Sequence, residues 1–479
     1  MNNDYSSAAN EWIARAHGLL PRAAIAVSLF AATIQPIYAQ DANELKSKLE
    51  ALERQVQLLK GEIERLGKKT EEVNAKTEAL ATQQENAGTA PLPAGASVNA
   101  AAAGGLNIPG AAATVDPRIG QTSVFGYGEI NYNRPRDTSQ SKVTVRRAVL
   151  GFGHRFNDKL RLVSEFEFEN AVTSATDGGE VEVEQLYLDY RHSNRLNIKA
   201  GLYLMPLGLL NESHEPTRYF GVERNDVERR IIPTTWREVG VGTYGYFDNG
   251  IYYDVGITSS FNLHKWDSAE GPGSPLLAIH QEGAQASAKS LATYGAIRYL
   301  GVPGLRLGAG VWSGQSSQGN GPFTAGNSRL DLSGISARIS LWDMHAVWTP
   351  GNWDLRALYA HGSIGQAGQI NDVLSSPAVG VTSGFVPKSF DGWYLQSAYK
   401  AWSQGDFTVK PFFRYERFNT QRSLPQGYEG FADPTLNERV LTVGVSVFVT
   451  PNAVLKTDVQ RYRADRNRDR FNLGLGYHF

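Results

Sequence analysis

The last nine residues, Phe471-Asn472-Leu473-Gly474-Leu475-Gly476-Tyr477-His478-Phe479, carry apolar side chains at 471, 473, 475, 477 and 479. Small or polar residues stand between them. Strict alternation with a period of two gives a strand one apolar face and one that is not. The run stops on an aromatic residue, with no turn or tail after it. An edge strand of a soluble all-β protein fits the alternation. A barrel in a membrane demands it: the outer face meets lipid, the inner face meets water, and the last strand pairs with the first to close the ring.

Composition narrows the choice. Among 479 residues there is no cysteine, so disulfides and thiolate metal sites are excluded. A formal net charge of −1 gives no reason to expect nucleic acid as a partner. The only long apolar run lies near the N-terminus, so no second helical span is expected. A membrane protein without spanning helices satisfies its backbone in one remaining way, by closing a barrel.

Residues 1–39 read as an export signal peptide. Arg15, His17 and Arg22 precede the apolar stretch 23–32, and Ile37-Tyr38-Ala39 precedes Gln40 as a cleavage site. A membrane anchor is the competing reading, but Gln35 and Pro36 cut the run short. Residues 44–84 carry heptads. Leu45, Leu52, Leu59, Leu66, Val73 and Leu80 recur every seventh position, and Leu49, Val56, Ile63, Thr70 and Thr77 follow four later. These are the d and a positions of an α-helical coiled coil, weakened in its second half by the threonines and Gly67. Residues 85–120, rich in Ala, Gly and Pro, read as a linker.

The rest, 121–479, reads as sixteen alternating strands. They are 122–132, 142–156, 159–170, 181–191, 194–204, 236–247, 250–261, 289–300, 304–313, 337–349, 352–362, 389–402, 405–418, 438–450, 453–463 and 469–479. Tight turns are expected at Asn157-Asp158, His192-Ser193, Asp248-Asn249, Gly301-Val302-Pro303, Pro350-Gly351, Ser403-Gln404 and Pro451-Asn452. Longer connections alternate with them. The expected fold class is therefore all-β, a 16-stranded antiparallel transmembrane β-barrel preceded by a helical coiled coil. An even count puts both ends of the barrel on the short-turn, periplasmic rim, and the expected location is the bacterial outer membrane with the N-terminal region in the periplasm.

Strand parity assigns the faces. Leu160, Leu162, Phe166 and Phe168 oppose Arg161, Glu165, Glu167 and Glu169; Phe407, Val409, Phe413 and Tyr415 oppose Lys410, Arg414 and Glu416. In 438–450, Leu441 and four valines oppose Thr442, Gly444 and Ser446. Charge on one face of strand after strand implies a wet lumen, since unpaired buried charge is costly. Sixteen strands leave room for an open channel. The inward bases are Arg147, Arg161, Lys199, Arg306, Arg356, Lys410, Arg414 and Lys456; inward acids include Asp189, Asp254, Asp354 and Asp458. Such charges either line a conduction path or pair with one another as wall residues.

The loop spanning 205–237 is the candidate functional segment. It carries His214 and Glu215 and the candidate constriction residues Arg218, Glu223, Arg224, Glu228, Arg229, Arg230 and Arg237, with Asp226 among them. Its apolar anchors, Tyr219, Phe220, Ile231, Ile232 and Pro233, suit a loop folded into the lumen better than a free surface loop. Arginine is dense again at 461, 463, 466, 468 and 470, with Asp465 and Asp469. Gly240-Val241-Gly242-Thr243-Tyr244-Gly245 matches a dinucleotide fingerprint, but the alternation runs straight through it and leaves no helix start for a pyrophosphate. No cofactor, metal or catalytic set is expected.

The stretch from Val143-Thr144-Val145-Arg146-Arg147-Ala148 through Ile232-Pro233-Thr234-Thr235-Trp236-Arg237-Glu238-Val239-Gly240-Val241-Gly242 resembles the phosphate-selective porin O and P family. The resemblance implies a sixteen-stranded outer-membrane porin, a homotrimer, passing small anions such as phosphate or other small hydrophilic solutes. Its members owe anion choice to bases at the constriction; here Glu223, Asp226 and Glu228 intervene. The expected partners are outer-membrane lipid, small hydrophilic solutes, two further copies of the chain and, through the coiled coil, the cell wall. The competing function is a structural tether whose coiled coil binds that wall.

Overall fold

Sixteen long strands in the computed structural model form a closed antiparallel barrel. The described residues are 119–172, 178–323 and 329–479, with five isolated helical positions at 54, 57, 60, 61 and 65. The signal peptide lies outside them, as do the coiled coil apart from those five positions and the linker apart from 119–120.

The strands are β1 (Thr122–Pro135), β2 (Lys142–Arg155), β3 (Leu160–Glu169), β4 (Glu180–Ser193), β5 (Leu196–Leu204), β6 (Arg237–Tyr246), β7 (Ile251–Ser259) and β8 (Leu291–Val302). They continue with β9 (Leu305–Gln315), β10 (Arg338–Trp348), β11 (Trp353–Ile364), β12 (Ser389–Tyr399), β13 (Phe407–Ser423), β14 (Asn437–Thr450), β15 (Ala453–Tyr462) and β16 (Arg470–His478). A short piece, Trp402–Gln404, prolongs β12 along β13. Each strand pairs with its neighbours in sequence, and β16 closes on β1 from Tyr127↔His478 to Pro135↔Arg470. Phe479 and Gly126 exchange backbone hydrogen bonds of 2.9 and 3.0 Å, so the terminal aromatic belongs to the closing seam.

Three short turns sit one or two residues later than expected. Ser193 pairs with Leu196, Val302 with Leu305 and Gln404 with Phe407, which moves the bends to Asn194-Arg195, Pro303-Gly304 and Gly405-Asp406. Two of these bends need a residue of positive φ, and glycine supplies it at Gly304 (φ 77°) and Gly405 (φ 58°). The segment 240–245 is plain strand inside β6, paired on both sides with β5 and β7, so the fingerprint reading has no helix to rest on.

The outer face is apolar. Val241 (56%), Val443 (51%) and Phe413 (46%) are among the large side chains the sheet leaves uncovered, as a lipid-facing wall requires. The inner face departs from the uniformly wet lumen expected from parity. On one side a buried apolar core fills the interior. Tyr294, Trp312, Leu341, Leu358, Phe390 and Tyr394 of the wall meet side chains that the long loops bring inward. Loop 260–290 contributes Phe261, Leu263, Trp266, Leu276 and Ile279; 316–337 contributes Phe323, Leu330 and Leu332; 365–388 contributes Ile370, Leu374 and Val386. The last holds an eight-residue helix, Ala367–Leu374. Trp236 stacks on Phe261, and Trp312 meets both edge to face, with centroids 4.8 to 5.4 Å apart. Inward positions occupied by aromatic and aliphatic residues can be packed once a loop supplies the matching apolar face.

Candidate functional site

The loop between β5 and β6, residues 205–236, is built around three side chains, Asn211, Asn225 and Glu228. Asn211 clasps its neck. Its Nδ2 donates to the carbonyls of Met205 (2.7 Å) and Trp236 (2.8 Å), and its Oδ1 accepts from the Trp236 N–H (2.8 Å). Further in, Asn225 caps the short helix α1 (Asp226–Arg230) by accepting from the Glu228 N–H at 2.7 Å. Glu228 itself is fully buried. One oxygen accepts from the N–H groups of Leu209 (2.7 Å) and Leu210 (2.6 Å), and the other from the Tyr394 hydroxyl (2.8 Å).

From its neck the loop folds inward and bonds to wall strands around the barrel. Tyr219 donates to Glu129 of β1 at 2.6 Å, and Arg147 of β2 bridges that carboxylate (2.7 Å) and the His214 carbonyl (2.8 Å). Across the lumen, the Val222 N–H meets Asp458 at 2.6 Å, Lys456 reaches the Gly221 carbonyl at 2.9 Å, and Ser446 the Phe220 carbonyl at 2.6 Å. The Asp226 N–H donates to Glu416 at 2.6 Å. The Arg356 guanidinium donates to the Arg218 carbonyl at 2.9 Å and lies 5.0 Å from the Phe220 ring centre. Thr217 touches His478 of the closing strand at 2.8 Å.

Most of the charges read from sequence pair with one another. Arg161 meets Asp189, Lys199 meets Asp254, Arg356 meets Asp354 and Arg414 meets Glu416, all within 2.6 to 2.7 Å. Arg237 is buried between Glu182 (2.5 Å) and Glu282 (3.1 Å). Burial takes both it and Glu228 out of contact with water. Arg229 and Arg230 converge on Asp226 at 3.3 and 3.0 Å, joined by Arg468 at 3.4 Å and the Tyr462 hydroxyl at 3.0 Å. Burial favours the neutral acid at Asp226, but these three guanidinium groups outweigh it and hold the carboxyl well below the usual range. Glu223 accepts from Asn133 at 3.0 Å and lies 3.9 Å from Arg229.

Several bases stay outside this pairing; among the described residues, Lys456 hydrogen-bonds only to the Gly221 carbonyl, and Arg470 only to Gln460 and the Tyr462 hydroxyl. Among the described residues, Arg218 and Arg224 on the loop and Arg306 and Lys410 on the wall have no ion pair, and each keeps partial contact with solvent. Arg218 Nε, Arg224 Nη2 and Arg306 Nε are buried nitrogens without a hydrogen-bond acceptor. Lys410 is 5.9 Å from the Phe220 ring and 4.9 Å from Phe448.

Sequence reasoning named His214 among the loop's residues but gave it no partner. Its Nε2 lies 2.7 Å from Glu184 and 2.8 Å from the Tyr127 hydroxyl, and its Nδ1 donates to the Asn211 carbonyl at 3.0 Å. Burial lowers its pKa, but the Glu184 carboxylate more than offsets this and raises it to about 9. The pairing joins residues thirty positions apart, and no spacing rule signals it. The other inward loops were also missed, although Trp266, Leu276, Ile279, Leu330 and Leu332 carry the same apolar signature as 205–236. Among the described residues no group of His, Asp or Glu is disposed to hold a metal ion.

Comparison with known proteins agrees with this architecture. The family model described as phosphate-selective porin O and P matches residues 121–296. A protein of Aquifex aeolicus strain VF5, described as uncharacterized, is 32% identical over 365 residues, 74% of this chain and 80% of its own length. Salmonella typhi OmpF, solved in complex with daunomycin, superposes with a TM-score of 0.51 at 13% identity, covering 75% of this chain and 97% of that one. The outer membrane channel DcaP of Acinetobacter baumannii gives 0.46 at 12% identity, over 76% and 100%.

Proposed function

The chain belongs to the phosphate-selective porin O and P family, and from that premise we propose that it is a trimeric porin passing small hydrophilic solutes passively, with a weak preference for anions. Family and barrel fold make it an outer-membrane channel for solutes rather than an enzyme. The anion preference is supported by one observation: among the described residues, the bases Arg218, Arg224, Arg306 and Lys410 have no counter-ion and keep partial contact with solvent. A ring or cluster of fixed cations in a narrow aqueous path raises the local concentration of anions.

The acids that interrupt the loop's bases weigh less against this reading than their number suggests. Asp226 is neutralised by three arginines, and Glu228 spends both oxygens on backbone and tyrosine donors. Glu223 alone of the three keeps contact with solvent. No part of the arrangement singles out phosphate from other small anions.

The test is the reversal potential in a salt gradient across a planar bilayer. Arg224→Glu with Arg229→Glu shifts it towards cations if the loop lies in the current path. An unchanged potential, with conductance intact, places the loop outside that path.

A further inference from the structure

Three arginines stand in a row on the outer wall. Strand alternation puts Arg417 of β13 and Arg439 of β14 on the same face as Phe413, Val443 and Val447, and the register sets them directly opposite each other. Arg463, one residue beyond β15, donates its backbone N–H to the Arg439 carbonyl at 3.1 Å and completes the row. Like charges placed directly opposite in a ladder repel. Among the described residues none of the three guanidinium groups has an ion pair or hydrogen bond.

The nearby acids are committed elsewhere. Glu438 faces inward, fully buried, and accepts the backbone N–H groups of Arg439, Arg463 and Ala464, which fixes the two arginine backbones while its charge points the other way. Asp391 accepts from the Tyr359 hydroxyl at 3.3 Å and lies 3.9 Å from Arg422. Asp469 meets Arg461 at 3.2 Å.

The row's height on the wall matters. It lies at the long-loop ends of its strands, with the apolar band of Leu441, Val443, Val445 and Val447 beginning one step below. Trp393 stands opposite Arg417 in the ladder, its ring 5.6 Å from Tyr415. Aromatic side chains of this kind sit at the boundary between hydrocarbon and headgroup. Unpaired guanidinium groups just beyond that boundary meet headgroup phosphate, which they bind in a forked, two-point geometry.

We infer that Arg417, Arg439 and Arg463 form a docking site for the phosphate groups of a phosphorylated lipid in the leaflet that the long loops face. The occupant is a lipid, because the row is continuous with the apolar wall on which acyl chains would lie, and because it lies on the opposite face of the sheet from the lumen.

The test uses the full-length protein in detergent, with lipid A carrying both its phosphates or the same lipid A with them removed, and counts bound lipid by native mass spectrometry. The wild type retains the phosphorylated form and not the other, and inorganic phosphate does not compete. Each cation at a charged lipid surface is worth roughly fivefold in affinity. Replacing all three by glutamine therefore weakens retention on the order of a hundredfold, whereas three lysines keep most of it. Single-channel conductance, unaffected by residues outside the lumen, reports that both variants are folded; should the triple glutamine variant not fold, Arg439→Gln alone is read instead. Equal retention of the dephosphorylated lipid overturns the inference, as does undiminished retention by a folded glutamine variant. Competition by inorganic phosphate would reduce the row to a general anion site. Dissociation of an oligomer by the glutamine variant in lipid-free detergent would make the row an interface between copies.

Discussion

The two sides of the barrel interior hold their loops by different physics. Towards β1, β2 and β13 to β16, the loop 205–236 is tied by directional bonds between charges and backbone, as at Glu129, Arg147, Glu416, Lys456 and Asp458. Towards β8 to β12, loops meet the wall through Trp236, Phe261, Trp312, Ile339, Leu358 and Phe390, where fit and area matter more than direction. Apolar packing supplies stability without fixing any polar group beside water. Hydrogen-bonded anchoring does the reverse: each bond adds little net stability, but it sets where Arg218 and Arg224 stand. The division is not complete, since Arg356 of β11 and Tyr394 of β12 also bond to the loop, at the Arg218 carbonyl and Glu228.

The largest effect should come from the packed side. Trp312→Ala removes the centre of the aromatic trio and is expected to cost about 3–5 kcal/mol, read as a fall in the unfolding midpoint in detergent, with ion selectivity unchanged in the surviving channels. A loss below about 1 kcal/mol would mean that this side is not a close-packed core. On the bonded side, Asn211→Ala leaves two carbonyls and one N–H at the neck without partners and is expected to cost about 1–3 kcal/mol. Its signature is local: hydrogen exchange quickens across 205–236 while the barrel ladder stays protected. Uniform acceleration would show that the two sides are not separable.

A smaller effect is set by pH. His214 is held charged by Glu184 up to about 9, above its ordinary 6.5. A raised pKa contributes stability that is complete below about 6.5 and is lost as pH climbs through about 9. Exchange in the 205–236 segment should therefore quicken between pH 7 and pH 10, and His214→Gln should abolish the difference. Identical profiles for the two proteins would remove His214 from the anchoring.

The strands were legible because a closed barrel forces one rule on every segment: greasy outside, and a turn or loop between. The short turns slipped where Ser193, Val302 and Gln404, plausible turn residues or their neighbours, complete the ladder instead. The inward fold of 205–236 was legible from its apolar anchors among charges. Loops 260–290, 316–337 and 365–388 offered the same anchors with less charge, and parity alone cannot tell a wall residue that meets water from one that meets a loop. Pairing among the inward charges was one of the two readings left open, but the partners were not legible. Arg147 finds Glu129 on the neighbouring strand, but Asp226 finds Arg468 across 242 positions, and only the folded chain brings them together. The outer row was equally hidden, since Arg417, Arg439 and Arg463 are far apart until register aligns them.

The central claim is that the bonded loop presents its unpaired bases to the conducting path. The chain has no cysteine, so Arg224→Cys introduces a single reactive thiol. Adding a negatively charged, water-soluble thiol reagent to the variant in a planar bilayer should lower conductance in discrete steps and move the reversal potential towards cations, with no response from the unsubstituted protein. A thiol that reacts while both conductance and reversal potential stay constant would contradict the account.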